Sequence, residues 1–439
     1  MIEDRLLWVS PAVASREELV KKLTVDSVQY DGSIKTFCLA EVRDDCVGVP
    51  RNWAADNLDI DARLHTTHPH LDWPPICFPT CGNYRDGQEE SVLEIYDRFQ
   101  YRQGGVSGAL LEAMPGAGKT LMALDIASRL GTTALVLVHK GDLASQWQRT
   151  ASAFWPTCQT GHVQQKQLAY KDKHVVTAMA QTVYSQRDTL PDDFFKSFGI
   201  VIFDEGHRYS AETFAYSMGA FHAHFRLGVS ATWRRKDGLE MLWEWYIGRV
   251  ESKCHTRALS GNFRQVSWET SLRDSSFYWA GSLNRSKYIT TMSETPSLND
   301  WLAKKAVAAA DAGRCPLACS DRKAQCEAIK SAIECSSDHS VGLYVGGLTD
   351  KQRDEEAAKD IIIATYGMMS EGTDIPRIDT LFLATPRVDI EQVVGRIRRP
   401  VAGKKTPLVI DIVFDTPWNR AQAAKRLAQY ESFGFTSQG

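Results

Sequence analysis

Gly108-Ala109-Leu110-Leu111-Glu112-Ala113-Met114-Pro115-Gly116-Ala117-Gly118-Lys119-Thr120 decides the fold. Gly108 to Glu112 is an apolar run of buried-strand length, and the glycine-rich loop after it opens a helix. In that context the loop Pro115 to Thr120 wraps phosphate, its amides after the proline donating and Gly116 and Gly118 letting the backbone come close. Lys119 then reaches terminal phosphates as a point charge, and Thr120 offers its hydroxyl to Mg2+. The first glycine of the general pattern is replaced by Ala113.

Further short apolar runs alternate with helical segments, which is the signature of parallel-sheet units. Ala134–Val138, Val175–Thr177, Ile200–Phe203 and Leu227–Val229 read as strands of one block. Pro316–Cys319, Val341–Tyr344, Ile361–Ala364, Thr380–Leu383 and Pro407–Asp411 read as strands of a second. The chain of 439 residues is therefore divided into a small N-terminal α+β module at 1–80, a doubly wound domain at 81–252, a connecting segment or extension at 253–299, and a second doubly wound domain at 300–439. In such sheets ligands bind at the carboxyl ends of the strands.

Candidate functional residues stand at those ends. Asp204-Glu205-Gly206-His207 follows the strand ending at Phe203, so Asp204 is assigned to the Mg2+ hydration shell and Glu205 to the attacking water. Ser230-Ala231-Thr232 ends the next strand, where the hydroxyls can hydrogen-bond His207 or the acid pair. Gln392-Val393-Val394-Gly395-Arg396-Ile397-Arg398-Arg399 supplies two arginines spaced to neutralise a transferring phosphoryl group. In this fixed order the motifs describe an ATP-driven nucleic-acid motor using ATP and Mg2+.

Composition is that of an ordinary soluble chain, with 43% hydrophobic and 24% charged residues. Neither a run of membrane-spanning length nor a secretory signal is found, which makes the cytoplasm the default compartment. The net charge of −3 is unevenly spread. Residues 226–287 hold eleven Lys/Arg against six Asp/Glu, 387–439 nine against five, and the first eighty residues eight against thirteen. The basic stretches flank the catalytic motifs, where a phosphate track would lie. The ten cysteines show no repeating spacing and read as reduced thiols. His68, His70, Cys77 and Cys81 make a zinc site imaginable, although the prolines at 74, 75 and 79 fit an extended interdomain connector. Phe277-Tyr278-Trp279 either stacks bases or packs its own domain.

These motifs resemble those of superfamily 2 helicases over roughly Tyr84 to Arg399. The resemblance implies two tandem RecA-like domains with ATP held between them. It carries Gln88 over as the adenine contact and Gly372 and Asp374, in Glu371-Gly372-Thr373-Asp374-Ile375-Pro376, as further ATP-site residues. The catalytic set is Lys119, Asp204, Glu205, Gln392, Arg396 and Arg399; His207, Ser230 and Thr232 couple nucleotide state to the strand. Leu143, Gln146 and Trp147, with Val138-His139-Lys140, resemble an element that touches the nucleic-acid backbone, and His139, Lys140, Thr177, Gln181, Arg234, Arg235, Lys236 and Thr365 are the DNA contacts expected. Ser230-Ala231-Thr232-Trp233-Arg234-Arg235-Lys236-Asp237-Gly238 is similar to the XPB/UvsW-like group, with Trp233 in place of its usual proline. Val49-Pro50-Arg51 also resembles that group, whose leading domain grips duplex DNA. The implied activity is ATP-dependent unwinding or branch migration of forks and four-way junctions by a phage-type enzyme, a monomer on DNA. An RNA helicase and the non-unwinding motor subunit of a restriction-type complex are the alternatives.

Overall fold

The computed structural model describes residues 6–28, 33–43, 45–58, 69–78, 83–101, 107–114, 116–165, 167–206, 209, 211–233, 235, 238–254, 259–270, 273–279, 282–370, 375–401 and 403–438. The chain divides into two compact units, Met1–Thr256 and Arg257–Gly439.

In the first unit, β1 (Leu7–Val9), β2 (Thr24–Val28), β3 (Ile34–Cys38), β4 (Glu41–Val42) and β5 (Val47–Val49) build the N-terminal module: a small sheet of order β1-β5-β4 and a β2-β3 hairpin. An eight-stranded sheet follows, from β6 (Ser107–Ala113), β7 (Ala134–Val138), β8 (Thr160–Gln164), β9 (Gln167–Leu168), β10 (Val175–Met179), β11 (Ile200–Asp204), β12 (Phe225–Ser230) and β13 (Val250–Cys254). Its order is β13-β6-β12-β11-β7-β10-β8-β9, and every pair except β8 with β9 is parallel. β7 and β11 are buried along their whole length, as the continuous apolar runs require of strands covered on both faces.

The N-terminal module is not a separate bead. Leu7, Val9, Leu19, Leu23, Val49 and Trp53 share one buried cluster with Phe194, Phe221, Met218 and Trp243. The Pro-rich stretch read as a connector also packs on this unit: Trp73 donates its indole N–H to the Thr132 carbonyl at 2.9 Å and meets Trp155 edge to face at 5.6 Å.

The second unit holds β14 (Gly261–Trp268), the hairpin β15 (Tyr278–Trp279) and β16 (Ser282–Leu283), then β17 (Pro316–Ser320), β18 (Val341–Tyr344), β19 (Ile361–Thr365), β20 (Thr380–Leu383), β21 (Leu408–Phe414) and β22 (Phe435–Ser437). Its seven-stranded sheet has the order β18-β19-β17-β20-β21-β14-β22 and is parallel throughout. Thus the segment 253–299, read from sequence as a connection, contributes a full strand to this sheet. Phe277 is buried against Tyr288 at 5.0 Å, so it packs its own unit, while Tyr278 is half exposed. Among the described residues no helix is long and apolar enough to cross a membrane.

Candidate active site

Strand register assembles the site. Ser230 pairs with Glu112 and Asp204 with Val229, so β6, β11 and β12 end at one level on the carboxyl edge of the first sheet. The loop after β6 turns through Gly116 and Gly118, at φ +85° and +88°, a left-handed backbone that glycine alone adopts without strain. A Cβ on Gly118 would also lie 2.2 Å from Gln88 Nε2 and push that side chain off the loop. The helix Lys119–Arg129 starts at Gly118 with no side-chain cap, leaving first-turn amides and the positive dipole end for an anion.

Gln88, expected to contact a base, is buried and braces this loop. Its Nε2 donates to the Ala117 carbonyl at 2.7 Å, and its Oε1 accepts from the Arg85 amide at 2.9 Å. Arg85 adds Nη1 to the Gly116 carbonyl at 3.1 Å.

Across the loop, Lys119 Nζ donates to Glu205 Oε1 in an ion pair mostly shielded from solvent. Ser230 Oγ lies 2.9 Å from Glu205 Oε2 and 2.6 Å from the Thr232 carbonyl, which share its one proton, so both carboxylate oxygens have a polar neighbour. Glu205 lies at φ +47°, a conformation costing a non-glycine residue about 1 kcal/mol or more, and its amide is fixed on the Val229 carbonyl at 3.0 Å. Gly206 follows because a Cβ there would strike Trp243 and Phe214 at 2.6 and 2.8 Å.

Asp204 is buried and accepts from Trp147 Nε1 at 2.8 Å. Burial and the neighbouring Glu205 charge push its carboxyl up to about 6, against the opposing pull of Lys119 and Trp147. A carboxylate so poor in compensating charge suits a cation, and a lysine beside glycine-freed amides suits phosphate. The residues therefore fit Mg2+ and a nucleoside triphosphate. Trp147, grouped from sequence with a nucleic-acid element, instead anchors the acid. Tyr209, which sequence reasoning missed, stands beneath the same loop; its hydroxyl lies 3.0 Å from the Leu137 carbonyl and 3.1 Å from that of Asp204. Its aromatic character five residues past Asp204 was the available signal.

The Ser230 loop leads into an aromatic box. Trp233, replacing the expected proline, lies over Gly228 and meets Trp243 at 4.9 Å, whose Nε1 donates to the Trp233 carbonyl at 3.0 Å. Arg235, expected on DNA, is 7% exposed and stacked over Phe214 and Trp243 at 5.4 and 5.9 Å, with Nη2 on the Tyr209 carbonyl at 3.2 Å. Its position among aromatic faces removes it from the solvent side. Thr177 is likewise buried, its hydroxyl engaged by Gln148 and His162 at 2.9 Å each. Gln181 and Lys140 are exposed, and His139 is partly so. Arg51, in the Val49-Pro50-Arg51 stretch whose resemblance implied a grip on duplex DNA, is buried and donates to the Ala223 carbonyl at 2.8 Å.

In the second unit, Gln392 and Arg396 lie on the helix Glu391–Ile397 and Arg399 just beyond it. Arg396 Nε donates to the Met369 carbonyl at 2.8 Å, and burial draws its guanidinium down to about 10. Thr365, which ends β19, is partly buried. Pro115, His207, Arg234, Lys236, Gly372 and Asp374 lie outside the described residues, as do His68 and Cys81 of the imagined zinc set. Among the described residues no group of three or more His, Cys, Asp or Glu is arranged to hold a metal.

Comparison with known proteins agrees with this architecture. The family described as "Type III restriction enzyme, res subunit" matches residues 82–235. A protein of Acanthamoeba polyphaga mimivirus named "Putative ATP-dependent RNA helicase L396" is 30% identical over 379 residues, covering 84% of this chain and 70% of its own. The "DNA 3'-5' translocase XPB2" of Sulfurisphaera tokodaii is 28% identical over 148 residues, 34% of this chain and 32% of its own. Among solved structures, a point variant of S. cerevisiae Dbp5 bound to RNA and ADP BeF3 matches with a TM-score of 0.55 at 12% identity, over 81% of this chain and 90% of that one, a likeness of fold. With two RecA-like sheets and helicase relatives across most of its length, the chain belongs to the superfamily 2 helicases, in their XPB/UvsW-like group.

Proposed function

We propose that this ATP-dependent helicase works on DNA, unwinding or branch-migrating forks and junctions. The observation that carries the hydrolytic part is the Lys119–Glu205–Ser230 constellation at the carboxyl edge of the first sheet. Lys119, Thr120 and the amides opening the helix Lys119–Arg129 would hold the triphosphate and Mg2+, with Asp204 on the cation's hydration shell. Bound Mg-ATP supplies the phosphoryl group whose hydrolysis drives movement. Glu205, freed from Lys119, orients a water and accepts its proton, and Ser230 keeps the carboxylate aimed. Arg396 and Arg399 serve the same hydrolysis by neutralising charge.

The DNA assignment is supported by the named activity of the archaeal relative and by the similarity of the Ser230–Gly238 stretch to that group. The mimivirus relative's name favours RNA, which is the second reading. A displacement panel of forks, four-way junctions, tailed DNA duplexes and RNA duplexes separates them. ATPase stimulation and strand release on DNA are expected, whereas stimulation by single-stranded RNA alone would sink the DNA assignment. Lys119→Ala should abolish hydrolysis, and Glu205→Gln should bind ATP but turn over at least about a hundredfold more slowly, the scale of a lost general base. Near-normal turnover in either variant removes the site.

A further inference from the structure

Lys404 lies seven residues past Ile397, the end of the helix that carries Arg396. Its Nζ donates to the Arg399 carbonyl at 3.0 Å and to the Pro376 carbonyl at 2.7 Å. One ammonium therefore joins the backbone at Arg399 to Pro376, the last residue of the Glu371–Pro376 stretch. A helix end exposes acceptor carbonyls and a negative dipole, and a cation is the group that satisfies both. Arg396 is tied to the neighbouring segment by its own bond to the Met369 carbonyl, and the Arg399 carbonyl is held by the lysine.

We propose that Lys404 is a positioning residue that sets Arg399 for ATP hydrolysis by clamping it to the Ile375–Pro376 turn. The proposal rests on the reading of Arg399 given above.

The clamp is also protonation-dependent. Lys404 lines a cavity of about 380 Å³ on the amino-terminal side of the second sheet. Burial lowers its ammonium to about 8; Asp379 and Cys315 oppose this, and the Arg399 charge adds to it. Elsewhere on the cavity wall, Arg377 is spent on the Ala357 carbonyl and the Cys315 sulfur, Arg314 on Asp379 and the Thr406 carbonyl, Asp360 on Ser340, and His339 on Asp311. Above pH 8 the ammonium loses its charge, its pull on the two carbonyls weakens, and turnover should decline.

The test is steady-state ATP hydrolysis by the full chain with saturating nucleic acid, from pH 6.5 to 9.5, for wild type, Lys404→Met, Lys404→Arg and Arg399→Ala. Lys404→Met should lower kcat about tenfold at pH 7, the scale of a modest misplacement, with KM for ATP within about twofold and Tm retained. It should lack the alkaline decline near pH 8. Lys404→Arg should restore most of kcat and, its charge being permanent, also lack the decline. Wild-type kcat in Lys404→Met, an alkaline limb near 8 that persists in either lysine variant, or no rescue by arginine overturns the clamp. Should Lys404→Met not fold, Lys404→Arg alone decides by its kcat and pH profile. Arg399→Ala separates the two layers: an unimpaired Arg399→Ala removes the Arg399 reading itself, while an impaired Arg399→Ala beside an unimpaired Lys404→Met removes the clamp alone.

Discussion

Asp204 is held by opposing pulls: burial and Glu205 disfavour its charge, while Trp147 and Lys119 support it. A carboxyl raised to about 6 binds a proton in the folded state that the unfolded chain releases near 3.9. The linkage sign follows, with its contribution to stability fully present below about pH 4 and lost as pH rises through about 6. At pH 7 the buried charge costs on the order of 1–3 kcal/mol. Asp204→Asn keeps an acceptor for the Trp147 indole and removes that cost. It should melt no lower than wild type at pH 7 without nucleotide, and should lose the stability change between pH 4 and 6 that Asp204 causes, yet hydrolyse ATP at least about a hundredfold more slowly. A clear drop in Tm at pH 7 would show the carboxylate to be structural. Such a site gives up stability for a charge aimed at a cation.

Between β12 and the helix Met241–Tyr246, the Ser230–Arg235 segment shows how an element hides its role. A run of three cations, Arg234-Arg235-Lys236, reads as a phosphate track, but the backbone turns Arg235 inward onto Phe214, Trp243 and the Tyr209 carbonyl. Arg235→Ala should therefore lower the denaturant midpoint by the equivalent of about 2–3 kcal/mol, a buried charge-assisted bond plus stacking. A variant that unfolds like wild type but binds nucleic acid weakly would restore the surface reading. The same contrast governs what could be read ahead of the structure. β7 and β18 match their apolar runs to the residue, because strands covered on both faces leave an unbroken signal. β13 and β14 were invisible: Val250–Cys254 and Gly261–Trp268 mix exposed and buried positions near a sheet edge, with Arg264 and Gln265 in the middle of the strand. Lys119, Asp204, Glu205 and Ser230 could be placed from sequence because each ends or follows a legible strand. Trp147 and Tyr209 could not, since their contacts to Asp204 depend on how helix and loop pack over β11.

Over the whole molecule, charge suggested an acidic leader separable from the motor, and packing argues the other way. Trp53 is 3% exposed and meets Trp245 at 6.5 Å; Arg51 donates to the Ala223 carbonyl, and the Tyr246 hydroxyl lies 3.4 Å from the Leu39 carbonyl. Lys35 pairs with Glu212, and Asp56 with Arg249 at 3.4 Å. The leader thus covers an apolar face of the first unit made by Phe194, Phe221, Met218, Trp243 and Tyr246. Removing it would bare a contiguous apolar patch, the kind of surface that drives aggregation. Deletion of the first 58 residues should therefore give an insoluble or strongly destabilised protein rather than a clean ATPase core, although no ATPase motif is cut. Trp53→Ala, which keeps the chain intact, should cost about 3–5 kcal/mol, the range for removing a large buried aromatic side chain. Its ATP turnover, measured well below the lowered Tm, should stay within about twofold of wild type because no site residue moves. A deletion that stays soluble, melts like the intact chain and loses only fork and junction unwinding would show the leader to be an autonomous nucleic-acid module. In that case its grip on branched substrate would have to come from its exposed residues, not from Arg51.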